Sequence, residues 1–270
     1  MDLVRNLFRP VPLGRVLGIP VLVAPALPVL LVLVLASASS SAGAGAVLVL
    51  LLVLVAALFL HELGHAFAAR RLGLHVEAIV LQPWGGEAQV RGLGLRPSLE
   101  LPVAAAGPLA NVAVGLLFLP IPGAFAAAVS AINLLLGLAN LLPALPLDGG
   151  RMLRAWLAET SPWPDATNAV RLLTRWVALG VLVAGAFGGA FLLGLVFAAI
   201  LGWHSWTEGV RSFLLHGPPT LPPAEVWRRA FRRRRRRGDA FVGDPEVDEL
   251  IVELESFHGT LEEFFELRRR

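Results

Sequence analysis

The segment Phe59-Leu60-His61-Glu62-Leu63-Gly64-His65 sets two histidines four positions apart with a glutamate between them. On a helix, residues i and i+4 stand one turn apart on one face, so both imidazoles point to a common spot. Two neutral imidazoles so arranged can ligate one Zn²⁺, which lowers the pKa of a bound water to about 7. Glu62 projects beside the pair, where it can take that water's proton, and the chemistry is metal-assisted hydrolysis. A pattern this short also arises by chance. The plain alternative is a helix end that carries two histidines and a glutamate near an interface.

A catalytic zinc takes three protein ligands and keeps one position open. The chain has no cysteine, and His75, His204, His216 and His258 fall in loops, at a span end or in the tail. The best third candidate is Asp148, which follows Asn140-Leu-Leu-Pro-Ala-Leu-Pro-Leu147 and precedes two glycines. Pro143 and Pro146 interrupt helical hydrogen bonding, and Gly149-Gly150 permit a tight turn. Irregular backbone at membrane depth persists only where protein buries it or where it lines a wet cavity. The competing reading is an ordinary helix end with Asp148 paired to Arg151 at the surface.

The elements that must present these residues are apolar helices. Hydrophobic residues make up 56% of the 270, charged residues only 16%, and mean hydropathy is +0.70. Soluble domains carry roughly a quarter charged residues, so the expected class is an all-α polytopic membrane protein. Six spans are expected, at about 19–36, 44–69, 101–120, 123–145, 172–187 and 189–207. All 23 basic residues are arginine, and the turns after spans one, three and five carry no charge. Every arginine therefore falls on one face, and the positive-inside rule makes that face, with both termini, cytoplasmic. Spans two and four then end on the same face, so His65 and Asp148 can share a membrane depth. His61 lies roughly 20–25 Å along its helix, where polar groups cost several kcal/mol unless they are partnered.

Between spans two and three, residues 76–91 read as a β-hairpin turning at Pro83-Trp84-Gly85-Gly86. Residues 1–217 form the expected membrane domain. Residues 218–270 form a cytoplasmic tail with a proline linker, an arginine run over Arg228–Arg237 and an acidic stretch of helical periodicity. The arginine run suits anionic lipid headgroups, each basic residue contributing about 1 kcal/mol. A pI near 11 does not make this a nucleic-acid binder, because these arginines are tethered at a membrane.

The segments HELGH, AGPLAN at 106–111 and NLLPALPLDGG at 140–150, in this order and spacing, resemble the site-2 protease family of intramembrane zinc metalloproteases. The subgroup without a PDZ insertion, typified by the bacterial sporulation protease, is most similar. GRVLGIPVLV near the N-terminus and the PWGG turn share in that likeness. The resemblance covers roughly residues 10–210. It implies a bacterial cell-membrane enzyme with one Zn²⁺ held by His61, His65 and Asp148 and with Glu62 as general base. It implies Asn140 near the substrate backbone and Asn111 facing the site, where Asn111 can equally serve helix packing. The hairpin's strand edge, with Gly85 and Gly86, can accept an extended substrate derived from a transmembrane protein, or can be an interfacial hairpin without that role. The other class kept open is a non-proteolytic metal-binding transporter or scaffold, for which internal repeats would speak.

Overall fold

The structure is a computed structural model, and it describes residues 6–37, 41–83, 85–93 and 97–236. It is mostly helical with one small sheet. Strands β1 (Val11–Val16) and β2 (Ile19–Val23) are joined by a tight turn at Leu17-Gly18. Both turn residues have positive φ, 51° and 79°, the backbone that matches strand twist in a two-residue hairpin. Helices α1 (Ala26–Ala36) and α2 (Ser41–Arg71) follow, then β3 (Val76–Gln82) and β4 (Gly85–Val90). The remainder is helical: α3 (Pro97–Phe118), α4 (Ala124–Asn140), α5 (Asp148–Ala158), α6 (Trp163–Phe187), α7 (Phe191–His216) and α8 (Pro223–Arg236).

The expected hairpin is present as β3 and β4, but it belongs to a four-stranded sheet of order β1-β2-β3-β4. The β2–β3 pairing is parallel, Val21 opposite Ile79, and the flanking pairs are antiparallel. Ile19, Ile79 and Leu81 pack with Ala66, Ala69 and Val103, so the sheet is fixed against the C-terminal end of α2 and the start of α3. β4 pairs with β3 and is an edge strand of this sheet.

The first expected span is corrected. Residues 19–23 are strand β2, and only Ala26–Ala36 is helical. Eleven residues reach about 16 Å, roughly half the hydrocarbon thickness. Prolines explain the division: Pro25 precedes the helix, and an extended residue is favoured before each proline, including Pro20. Among the described residues, Gly43–Arg71, Ser98–Phe118 and Trp163–Phe187 are long and apolar enough to cross a membrane, and Ala26–Ala36 and Ala124–Asn140 are shorter apolar helices. Leucines 48, 52 and 54 of α2 are exposed on the protein surface, as lipid-facing residues should be.

Residues 218–236 are tied to the helical body. Buried Asp165 accepts hydrogen bonds from the Thr220 amide, from Thr220 Oγ1 at 3.0 Å and from the Leu221 amide at 2.9 Å. Val226 and Ala230 of α8 enter an apolar cluster with Leu145, Leu157 and Val170. The acidic tail and Arg237 lie outside the described residues.

Candidate metal centre

The run of helix-forming apolar residues from Ala46 carries α2 unbroken through the histidine pair to Arg70 and Arg71, whose charges suit a helix C-terminus. His61, Glu62 and His65 are all buried. The two imidazoles meet edge to face, with centroids 4.7 Å apart. Asp148 opens α5 after the irregular segment 141–147 and points one oxygen at both rings. Its Oδ2 lies 2.9 Å from His61 Nε2 and 3.2 Å from His65 Nε2. Two ligands about 2.1 Å from one tetrahedral zinc stand roughly 3.4 Å apart, so these spacings are within about half an ångström of a ligand set. The three side chains form one group able to hold a metal ion.

Hydrogen bonds on the far side of each ring decide what faces the centre. Asn111 Nδ2 donates to Ala57 O (3.0 Å) and to Asn133 Oδ1 (2.8 Å). A carbonyl only accepts, so Asn111 Oδ1 is turned to His61 Nδ1, 2.7 Å away, and the imidazole must donate. The Asn133 amide is fixed in the same way by donating to Val129 O at 2.9 Å. His65 Nδ1 donates to Val103 O at 2.8 Å. Both neutral imidazoles therefore carry hydrogen on Nδ1 and present the bare Nε2 to a carboxylate oxygen. Three acceptors converge with no hydrogen among them, an arrangement that only a cation stabilises. With no metal, a proton is the cation available. Burial by itself would raise the Asp148 carboxyl, but a proton taken up on the facing His61 and His65 rings, hydrogen-bonded to it, and the nearby Arg151 charge hold it well below the usual carboxylate range.

Arg151 donates to the other oxygen, Asp148 Oδ1, at 3.1 Å. The surface pairing that competed with the ligand reading thus exists alongside the ligand geometry, using different oxygens. Arg151 also approaches Glu100 Oε1 at 3.5 Å, and Arg154 binds Glu100 at 2.6 Å and Glu208 at 2.7 Å. Burial opposes the Arg154 charge, yet Glu100 and Glu208 raise its pKa above the ordinary arginine value. From Glu62 to Glu208 the group holds four carboxylates, Glu62, Glu100, Asp148 and Glu208, against the guanidinium groups of Arg151, Arg154 and, 3.9 Å from Glu208, Arg211, leaving one negative charge over. A cation at the histidine–aspartate group offsets that excess.

Two glycines mark the walls. A Cβ on Gly107 of the AGPLAN segment would lie 2.3 Å from His65 Nε2 and 2.9 Å from His61 Nε2. A Cβ on Gly86 of β4 would lie 2.4 Å from Glu62 Cγ. The strand therefore runs directly over the glutamate. Gly85 adjoins it at the start of β4. Asn140 stands at the end of α4, where its amide donates back to Leu136 O at 2.9 Å. Among the described residues, no hydrogen bond joins it to the histidine–aspartate group. Asn111 is fully buried behind His61. Asn133, Glu100, Arg154 and Glu208 escaped the sequence reading. Only their polarity inside or beside apolar helices signalled them.

Apolar helices that hold two imidazoles and a carboxylate around one spot, with a glutamate alongside, define a helical membrane protein with a metal centre. The chain belongs to peptidase family M50, whose family model matches residues 49–125 and 122–184, half of the sequence. It is 36% identical over 168 residues to Rip3 of Mycobacterium tuberculosis, a zinc metalloprotease by name, covering 55% of this chain and 42% of that protein. It is 34% identical over 121 residues to stage IV sporulation protein FB of Bacillus subtilis, covering 40% of each. The solved site-2 protease from Methanocaldococcus jannaschii superposes with a TM-score of 0.58 at 27% identity, over 74% of this chain and 95% of that one. The chain spans less than half the length of these two curated relatives. Zinc is the cofactor that the family brings to this site, and the resemblance read from HELGH, AGPLAN and NLLPALPLDGG is shown.

Proposed function

We propose that this protein is an intramembrane zinc endopeptidase that cleaves transmembrane or membrane-associated proteins near the cytoplasmic face. The observation that carries this reading is the convergence of His61 Nε2, His65 Nε2 and Asp148 Oδ2, with no hydrogen among them and Glu62 adjacent. His61, His65 and Asp148 hold the metal, which supplies Lewis acidity to the scissile carbonyl and to water. Glu62 accepts a proton from the attacking water as its oxygen bonds to the carbonyl carbon. The same carboxyl then gives the proton to the amide nitrogen as the carbon–nitrogen bond breaks, leaving an acid and an amine. Burial around Glu62 keeps bulk water from competing for that proton.

A transmembrane helix hides its carbonyls in helical hydrogen bonds and must become extended to be cut. The edge of β4 supports strand addition, since its backbone at Gly86 passes over Glu62 and a segment paired there lies beside the base. Gly85 and Gly86 leave space for that backbone, and Asn140 stands at the start of the segment leading to Asp148. In this reading α1, α2, α3, α4, α6 and α7 cross the bilayer with both termini cytoplasmic. The one-sided arginine distribution supports this topology. The eleven-residue α1 then requires a locally thin bilayer. Residues 1–217 are the catalytic body, and the exposed Arg228, Arg229 and Arg232 of α8 meet anionic headgroups.

The test is cleavage of a helical reporter in liposomes by the wild type and by Glu62→Gln, with zinc content measured on both. The expected outcome is equal zinc and turnover only in the wild type. Cleavage by Glu62→Gln at the wild-type rate, or no zinc in either protein, refutes the reading.

A further inference from the structure

Beside the metal centre runs a chain of ion pairs across three helices. Asp148 and Arg151 are on α5, joined at 3.1 Å. Arg151 reaches Glu100 at the start of α3, at 3.5 Å. Glu100 is gripped by Arg154 Nη2 at 2.6 Å, and Arg154 Nη1 is gripped by Glu208 of α7 at 2.7 Å. The Arg154 guanidinium also lies over the ring of Trp163, 4.6 Å from its centroid, which brings in α6. Glu100 and Arg154 are buried, at 2% and 6% exposure. Buried ion pairs are weak stabilisers against an apolar replacement, so stability alone is a poor reason for this one.

What the chain does control is a carboxylate. Asp148 spends Oδ2 on the histidines and Oδ1 on Arg151. The angle of the carboxylate plane, and with it the direction of Oδ2, is set by where the Arg151 guanidinium sits. That guanidinium sits where Glu100 draws it, and Glu100 is fixed by an arginine whose other arm is held from α7. We propose that Glu100, Arg154 and Glu208 are positioning residues for Asp148, carrying the placement of α7 to the ligand geometry of the metal centre. The inference rests on the metal-site reading above.

The experiment uses the full chain in detergent micelles, titrated with Zn²⁺ against a chelator and with Co²⁺, whose visible absorption reports ligand geometry. Arg151→Gln should weaken zinc binding about 10-fold or more, in the range for outer partners of metal ligands. Glu208→Gln, three links away, should weaken it a few-fold and shift the Co²⁺ bands. The double variant should bind no worse than Arg151→Gln alone, because the chain is already cut nearest the metal. Arg154→Lys keeps the charge but cannot span both carboxylates, and it should reproduce the Glu208→Gln spectrum. Wild-type zinc affinity and an unchanged Co²⁺ spectrum in both Glu208→Gln and Arg154→Lys, with only Tm lowered, overturn the proposal and leave the metal site standing. Failure of the wild type to bind either metal removes the metal reading and the proposal together.

Discussion

Replacing Gly107 with alanine adds one methyl group to the wall of the metal centre and leaves the identity of every ligand unchanged. That methyl would stand 2.3 Å from His65 Nε2, 2.4 Å from its Cε1 and 2.9 Å from His61 Nε2. Ordinary contact begins near 3.4 Å, so the His65 ring must retreat by about 1 Å, whereas metal–ligand distances tolerate about 0.2 Å. The ring has little room to retreat, because Val103 O holds its Nδ1 at 2.8 Å and the residue is buried. Zinc affinity should therefore fall by about 100-fold or more, the upper end of what losing an outer partner costs. Alanine in mid-helix otherwise gains roughly 0.5–1 kcal/mol over glycine, so the fold itself should survive. Gly202→Ala is the control, since a Cβ there meets nothing within 4 Å. Zinc content after dialysis and competition against a chelator, measured on both variants in micelles, decide the matter. A Gly107→Ala protein that keeps stoichiometric zinc at wild-type affinity would refute the placement of the ion between the histidines and Asp148.

Three further outcomes follow from the same geometry. Gly86→Ala places a Cβ 2.4 Å from Glu62 Cγ and 2.8 Å from Oε1, so kcat should drop while zinc content stays at the wild-type level; reporter cleavage and metal analysis on one preparation check this. Asn111→Ala removes the acceptor of His61 Nδ1 and strands Asn133 Oδ1, which should cost about 1–3 kcal/mol of stability and about 10- to 100-fold in zinc affinity, read by thermal melts and chelator competition. Chelation should lower Tm and added zinc restore it, since a ligand at 100 times its Kd stabilises by about 2.7 kcal/mol; a Tm indifferent to zinc would contradict a resident ion.

The chemistry was far more legible in the sequence than the scaffold around it. HELGH needs only helical spacing to bring its rings together, and α2 is apolar enough to make that helix certain. The place of Asp148 beside the histidines was legible because prolines and glycines broke an apolar helix, and irregular backbone at that depth must be buried in protein or line a wet cavity. The first strand pair was not legible: GRVLGIPVLV is as apolar as a span, and hydropathy is blind to the parallel pairing of Val21 with Ile79, 58 positions on. The ion-pair chain was hidden for a related reason. Glu100, Arg154 and Glu208 are 54 residues apart at each step, and no local pattern links them.

Several buried polar groups of this protein are linked to one another rather than scattered through its apolar body. They form one connected set, from Asn133 through Asn111 and His61 to Asp148, and on through Arg151 and Glu100 to Arg154 and Glu208. In a low-dielectric surround each isolated member would cost several kcal/mol, and each link offsets that cost for two members at once. Such a set is stable only when its charge closes. Counting Glu62 beside this set and Arg211 against Glu208, carboxylates exceed guanidinium groups by one, and the carboxylate that faces both bare imidazole nitrogens is Asp148. The same pairing that lets the helices bury these residues thus leaves a cation as the partner for the centre. A proton there joins at most two of the three acceptors, whereas a metal ion joins all three, so metal occupancy should raise the stability of this fold.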